Sequence, residues 1–151
     1  MLTDLQRLNI LILDDDEFLL DVVSMNLKRI GINKVTIFSL GRDALDAIDS
    51  GLHYDVIIVD LNMPVMDGIE VLRKLAKREY AGGILLFSGE DVRILKTAQN
   101  LASAQNLYVL GSLCKPVSSD DLQEKLALYK PPTGGSLHSP IEAVSCDELR
   151  A

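Results

Sequence analysis

Short aliphatic runs alternate with amphipathic segments along most of this sequence, and this alternation restricts the fold more than any other feature. Five runs have the length and β-branched content of buried strands: residues 9–13, 34–38, 55–60, 83–88 and 107–110. Apolar residues then recur at helical spacing over residues 18–30, 41–50, 69–79, 91–105 and 118–129, with Ser118 as the predicted N-cap of the last helix. This pattern predicts an α/β fold in which helices cover both faces of a parallel sheet.

Residues able to support chemistry stand where the predicted strands end. Asp14 and Asp15 follow the first strand, Asp60 ends the third, Ser88 ends the fourth, and Lys115 follows the fifth. Right-handed crossovers bring these ends to one edge of the sheet, where open α/β sheets bind ligands. Crowded carboxylates need a cation or a raised pKa at neutral pH, and oxygen ligands suit Mg²⁺ better than zinc. An ammonium and a hydroxyl would complete a shell for a phosphoryl group.

These residues, within the motifs VIIVDLNMPVMDG, LLFSGE and Lys115-Pro116, resemble the receiver domain of two-component response regulators. The resemblance covers residues 8 to about 130. It implies a flavodoxin-like (βα)₅ three-layer sandwich with strand order 2-1-3-4-5. It also implies phosphotransfer from a sensor histidine kinase or phosphotransfer protein to an aspartate of this chain.

The resemblance also implies a role for each residue of the motifs. Asp60 would be the phosphoacceptor, Ser88 and Lys115 would hold phosphoryl oxygens, and Mg²⁺ (or Mn²⁺) would be bound by Asp15, Asp60, the backbone carbonyl of Asn62 and, through water, Asp14. We expect Gly89 to leave the phosphoryl approach open and Glu90 to modulate hydrolysis. Receivers often carry an aromatic gate three positions before the lysine, where this chain has Ser112, so a gate of that kind is not expected.

The chain changes character after the last predicted helix. We assign residues 1–130 to the receiver domain and residues 131–151 to a linker and the start of a truncated C-terminal output domain, because Pro-Gly-rich sequence precedes a capping-box pattern at Ser145. Residues 107–116 resemble receivers fused to EAL-type cyclic-di-GMP phosphodiesterases. The EAL catalytic motif is absent, so we expect no enzyme activity beyond self-phosphorylation and autodephosphorylation. A homodimer is also possible for such a domain.

Composition limits the setting in which such a domain would work. The net charge of −7 argues against a nucleic-acid surface. Two cysteines, Cys114 and Cys146, form no disulfide framework, and no leader or bilayer-length apolar run is visible. We therefore expect a cytoplasmic protein that does not contact the membrane.

Less specific interpretations of the same residues are also available. Asp15 or Asp16 could serve only as a helix N-cap. Two other function classes remain as alternatives: a small phosphatase of the haloacid dehalogenase type, and an interaction module that is never phosphorylated. The phosphatase family places its nucleophile on the first strand in a DxD-type motif with Thr or Val following, whereas Phe18 follows Asp14-Asp15-Asp16-Glu17 in this chain.

Overall fold

Five parallel strands form one sheet in the computed structural model, which describes residues 5–61, 68–88, 92–114 and 117–129. The strands are β1 (Asn9–Leu13), β2 (Lys34–Phe38), β3 (Val56–Asp60), β4 (Gly83–Ser88) and β5 (Tyr108–Cys114). Their order across the sheet is β2-β1-β3-β4-β5, and every neighbouring pair is parallel. The predicted flavodoxin-like architecture is confirmed.

A helix follows each strand, as the sequence pattern predicted. The helices are α1 (Glu17–Arg29), α2 (Gly41–Asp49), α3 (Gly68–Lys77), α4 (Val92–Ala104) and α5 (Ser119–Leu126). Their ends differ from the predicted ends by a few residues. Ser118 is the N-cap of α5, and its hydroxyl accepts a hydrogen bond of 3.1 Å from the backbone N–H of Asp121. Within the described ranges, no helix combines the length and the apolar character required to cross a bilayer.

The sheet divides the core into two layers because successive side chains of a strand point to opposite faces. One layer joins the sheet to α2, α3 and α4, and the other joins it to α1 and α5. Ile57 and Val59 of β3 belong to the first layer, and Val56 and Ile58 belong to the second. Every residue of β3 is buried, which explains its continuous apolar sequence.

The apolar residues of α1 fall into two stripes, and only one of them faces the core. Leu19, Val23 and Leu27 are buried against the sheet. Phe18 and Met25, which also lie at helical spacing, are exposed by 77% and 62%. Periodicity identified the helix but did not distinguish its buried stripe from its exposed one.

Candidate functional site

The strand ends that carry the predicted site residues lie side by side at the carboxyl edge of the sheet. In the β1–β3 ladder Leu13 is opposite Val59, so Asp14 follows β1 at the level where Asp60 ends β3. In the next ladder Asp60 is opposite Phe87, which places the backbone of Ser88 one residue further along the same edge. The register of the sheet, rather than proximity in sequence, therefore assembles the site.

Three carboxylates meet at this edge. One oxygen from each of Asp14, Asp15 and Asp60 lies within 4.8 Å of the other two. Asp14 and Asp60 are 0% and 1% exposed, whereas Asp15 is exposed to solvent. Negative charges at this separation repel one another, and an oxygen-binding cation relieves that repulsion. The donor set is all oxygen and partly open to solvent, so it fits Mg²⁺ or a similar hard cation.

The neighbouring Asp16 has a different task. Its carboxylate accepts hydrogen bonds from the backbone N–H groups of Phe18 (3.0 Å) and Leu19 (3.3 Å) and so caps α1. Its own N–H donates to Oδ1 of Asp14 at 2.9 Å. The capping interpretation thus applies to Asp16, while Asp14 and Asp15 contribute to the acidic cluster.

The segment that follows Asp60 is fixed at both of its described ends. The N–H of Leu61 donates to the carbonyl of Phe87 at 3.1 Å and extends the ladder beyond the strand. Gly68, the first residue of α3, is buried so tightly that a Cβ there would lie 2.7 Å from both the Asp60 carbonyl oxygen and the Leu61 Cα. Only glycine lets α3 begin this close to the end of β3.

Comparison with known proteins decides which family this arrangement represents. Residues 10–127 match the family model described as the response regulator receiver domain. The chain belongs to that family. Receiver domains bind Mg²⁺ at an acidic pocket, act in phosphorylation-dependent signalling, and interact with histidine kinases and output domains.

Relatives of this receiver include proteins of several architectures. It is 34% identical over 109 residues to the positive alginate biosynthesis regulatory protein of Pseudomonas aeruginosa, covering 64% of this chain and 41% of that protein. It is 29% identical over 122 residues to the cyclic di-GMP phosphodiesterase RocR of the same species, covering 81% of this chain and 31% of RocR. The chain therefore spans less than half the length of these curated relatives.

Solved receiver structures show the same fold. A response regulator from Colwellia psychrerythraea has 33% identity and a TM-score of 0.67, with 80% of this chain and 94% of that chain covered. The Vibrio cholerae chemotaxis protein CheY4 has 29% identity and a TM-score of 0.65, with coverage of 80% and 96%.

The fifth strand of this receiver is longer than the sequence predicted and contains a bulge. Ile84 is opposite Val109, whereas Leu85 is opposite Gly111, so Leu110 is an extra residue in β5. Gly111 has φ +154°, and a Cβ there would lie 3.0 Å from Cδ of Lys125. The prediction that this strand ends at residue 110 is wrong, because the Gly-Ser pair marks a bulge rather than the end of the strand.

Ser112 lies in this extension, at the position where receivers often have an aromatic gate. It is opposite Leu86 in the ladder and is 1% exposed. The predicted residues Asn62, Gly89, Glu90 and Lys115 lie outside the described residues, and Ser88 is described by its backbone only. Among the described site residues, the structure brings together Asp14, Asp15 and Asp60.

A buried polar residue of α1 was not predicted from the sequence. Asn26 of α1 is 9% exposed, and its side-chain Nδ2 donates to the carbonyl of Val117 at 3.2 Å. The available signal was its spacing, because Asn26 follows Val23 by three positions and therefore lies on the buried stripe of the helix.

Proposed function

We propose that this receiver accepts a phosphoryl group on Asp60 from the phosphohistidine of a sensor histidine kinase or phosphotransfer protein. The observation that supports this most directly is the meeting of Asp14, Asp15 and Asp60 within 4.8 Å at the carboxyl edge of a receiver fold. Three crowded carboxylates weaken a fold, so a cluster of this kind favours a functional role over a structural one.

The proposed reaction is a transfer between two nucleophiles. A carboxylate oxygen of Asp60 attacks phosphorus, the P–N bond of the phosphohistidine breaks, and the imidazole leaves with the bonding electron pair. Hydrolysis then reverses the modification, when water attacks phosphorus and the Asp60 carboxylate leaves. Because Asp60 is 1% exposed, access of water to the acyl phosphate depends on the residues around it.

The acidic cluster would hold Mg²⁺ (or Mn²⁺). Asp15, Asp60 and the backbone carbonyl of Asn62 would bind the ion directly, and Asp14 would act through a water molecule. When bound, the ion neutralises charge on the phosphoryl oxygens. In the same proposal Lys115 and Ser88 hold phosphoryl oxygens, and Gly89 and Glu90 tune the approach of water.

The remaining proposals concern the protein around this domain. We assign residues 1–130 to the receiver and 131–151 to a linker and the start of an output domain, and we place the protein in the cytoplasm. The match to RocR, described as a cyclic di-GMP phosphodiesterase, supports an EAL-type output. Signal output through an aromatic gate is not proposed, because Ser112 occupies that position.

Labelling with a small phosphodonor tests the central proposal. Incubation with acetyl phosphate and Mg²⁺ should add one phosphoryl group, detected by intact mass, and Asp60→Asn should abolish the addition. Asp55→Asn is the matched control, because Asp55 lies just before the same strand at its other end. Unchanged labelling of Asp60→Asn would refute the proposal. Repeated turnover of organic phosphates would favour the phosphatase alternative.

A further inference from the structure

Asn26 joins α1 to the loop between β5 and α5. Its Nδ2 donates to the backbone carbonyl of Val117 across 91 positions of sequence, and the hydrogen bond is buried. Its helical neighbours Val23 and Leu27 are 0% exposed and belong to the core between α1, α5 and the sheet. An amide among aliphatic side chains is costly unless its hydrogen bond is made, so this contact is specific.

Val117 is the second residue after Lys115 and the first described residue after the Lys-Pro step. Its side chain is 6% exposed in the same core, and the following residue, Ser118, caps α5. The buried side chain of Val117 and the cap at Ser118 hold the loop and the start of α5 in place. The amide of Asn26 adds a tie to a third element, α1, which begins beside Asp14 and Asp15.

Helix α1 therefore contacts both the acidic cluster and the loop before α5. α1 begins at the capping residue Asp16, which also donates to Asp14. The same helix, two to three turns later, holds the carbonyl of Val117 through Asn26. A leucine at position 26 would fill similar space but would leave the Val117 carbonyl without its donor.

We infer that Asn26 is a positioning residue: it fixes the backbone carbonyl of Val117, two residues after Lys115, and so supports the task that the proposed function gives to this lysine. The inference rests on the proposed function, because it assigns Asn26 a task only if Asp60 is phosphorylated. Small displacements of a charge-stabilising group lower rates strongly, since phosphoryl transfer depends on positioning.

Two variants of Asn26 and one control test this inference in the full chain. Asn26→Leu should lower the acetyl phosphate labelling rate about tenfold. The Mg²⁺ affinity should stay unchanged, because the three aspartates are untouched. Val23→Ala is the matched control: it removes core volume from the same helix without touching a hydrogen bond, and it should lower stability but leave the labelling rate near wild type.

The Asn26→Asp variant tests the hydrogen bond through pH. If Asn26 acts by donating this bond, the labelling rate of the variant should depend on the protonation of the new carboxyl. An ionised carboxylate cannot donate to the Val117 carbonyl, whereas a protonated one can. The labelling rate relative to wild type should therefore recover as the pH falls in Asn26→Asp, and it should stay constant in Asn26→Leu.

The outcomes separate this inference from the function on which it rests. Wild-type labelling with an unchanged rate in Asn26→Leu would overturn the inference and leave the function intact. A parallel fall in Mg²⁺ affinity would also overturn it, because the amide would then support the acidic cluster. Absence of labelling in the wild type would remove both.

Discussion

The two edges of the sheet both carry aspartates, but they treat them in opposite ways. At the amino edge, the carboxylate of Asp55 accepts from the N–H of Asn9 at 2.8 Å, and it pairs with the His53 ring at 2.9 Å. At the carboxyl edge, Asp14, Asp15 and Asp60 converge on one another. The amino edge pairs the carboxylate of Asp55 with donors, whereas the carboxyl edge brings three carboxylates together.

The amino edge is built for stability in other respects as well. The hydroxyl of Tyr80 donates to the carbonyl of Tyr54 at 3.0 Å. Arg78, the residue after α3, makes a two-pronged contact with Asp49 at the end of α2, at 2.7 and 2.9 Å. The guanidinium lowers the pKa of the Asp49 carboxyl through this hydrogen bond. The contrast teaches that identical residue types acquire different roles from the partners that the fold supplies.

The largest test of this contrast replaces the glycine at the carboxyl edge. Gly68→Ala should destabilise the protein by about 3 kcal/mol, because the new Cβ would collide with backbone atoms of Asp60 and Leu61. Urea unfolding measures the loss. The displaced strand end should also weaken Mg²⁺ binding, measured by calorimetry.

Gly82→Ala is the matched control at the amino edge. A Cβ there would collide with the Tyr80 hydroxyl and would lie 2.7 Å from the Asp55 carbonyl oxygen. This variant should lose stability while its Mg²⁺ affinity stays at the wild-type value. Equal weakening of Mg²⁺ binding in both variants would contradict the division of roles between the edges.

A smaller effect comes from removing one charge at each edge. Mg²⁺ at a free concentration of ten times the Kd of the wild type should stabilise the wild-type protein by about 1.4 kcal/mol. Asp14→Asn should lose this gain, yet its metal-free form should be more stable by about 1 kcal/mol, since repulsion within the cluster falls. Asp55→Asn should keep the Mg²⁺ gain and be less stable. Thermal unfolding with and without Mg²⁺ distinguishes them, and a destabilised metal-free Asp14→Asn would count against repulsion.

The smallest expected effect concerns a tyrosine at the amino edge. Tyr80→Phe should cost about 1 kcal/mol, because the Tyr54 carbonyl loses its donor. Burial raises the pKa of the Tyr80 hydroxyl, and Tyr129 and Asp55 raise it further. The folded protein thus keeps a proton that the unfolded chain releases above about pH 10, so stability falls as the pH rises past that value. Denaturation at pH 8 and pH 11 should show a smaller alkaline loss in Tyr80→Phe, and an equal loss would contradict this assignment.

Most of the fold was readable from sequence because its signals are local. Aliphatic runs and helical spacing identified the five strands and five α-helices of the described residues, and the strand order followed from the family resemblance. The bulge at Leu110 was missed because it depends on the pairing of β5 with β4. The exposure of Phe18 could not be predicted, because spacing alone does not say which stripe of a helix faces the core.

The meeting of the three aspartates was also predictable from the sequence. Strand ends and chain topology predicted that Asp14, Asp15 and Asp60 would meet, and they do. Which neighbouring aspartate would cap α1 depended on backbone geometry, and the structure assigns that task to Asp16. The tie from Asn26 to Val117 spans 91 positions, so no local pattern could reveal its partner.

The strand order also has a consequence for folding during synthesis on the ribosome. β1 lies between β2 and β3, with Asn9 opposite Lys34 on one side and Ile10 opposite Val56 on the other. A nascent chain can pair β1 with β2 early, but the other flank of β1 waits until β3 has been synthesised. The acidic cluster cannot form before that point, because its last member, Asp60, is also the last residue of β3.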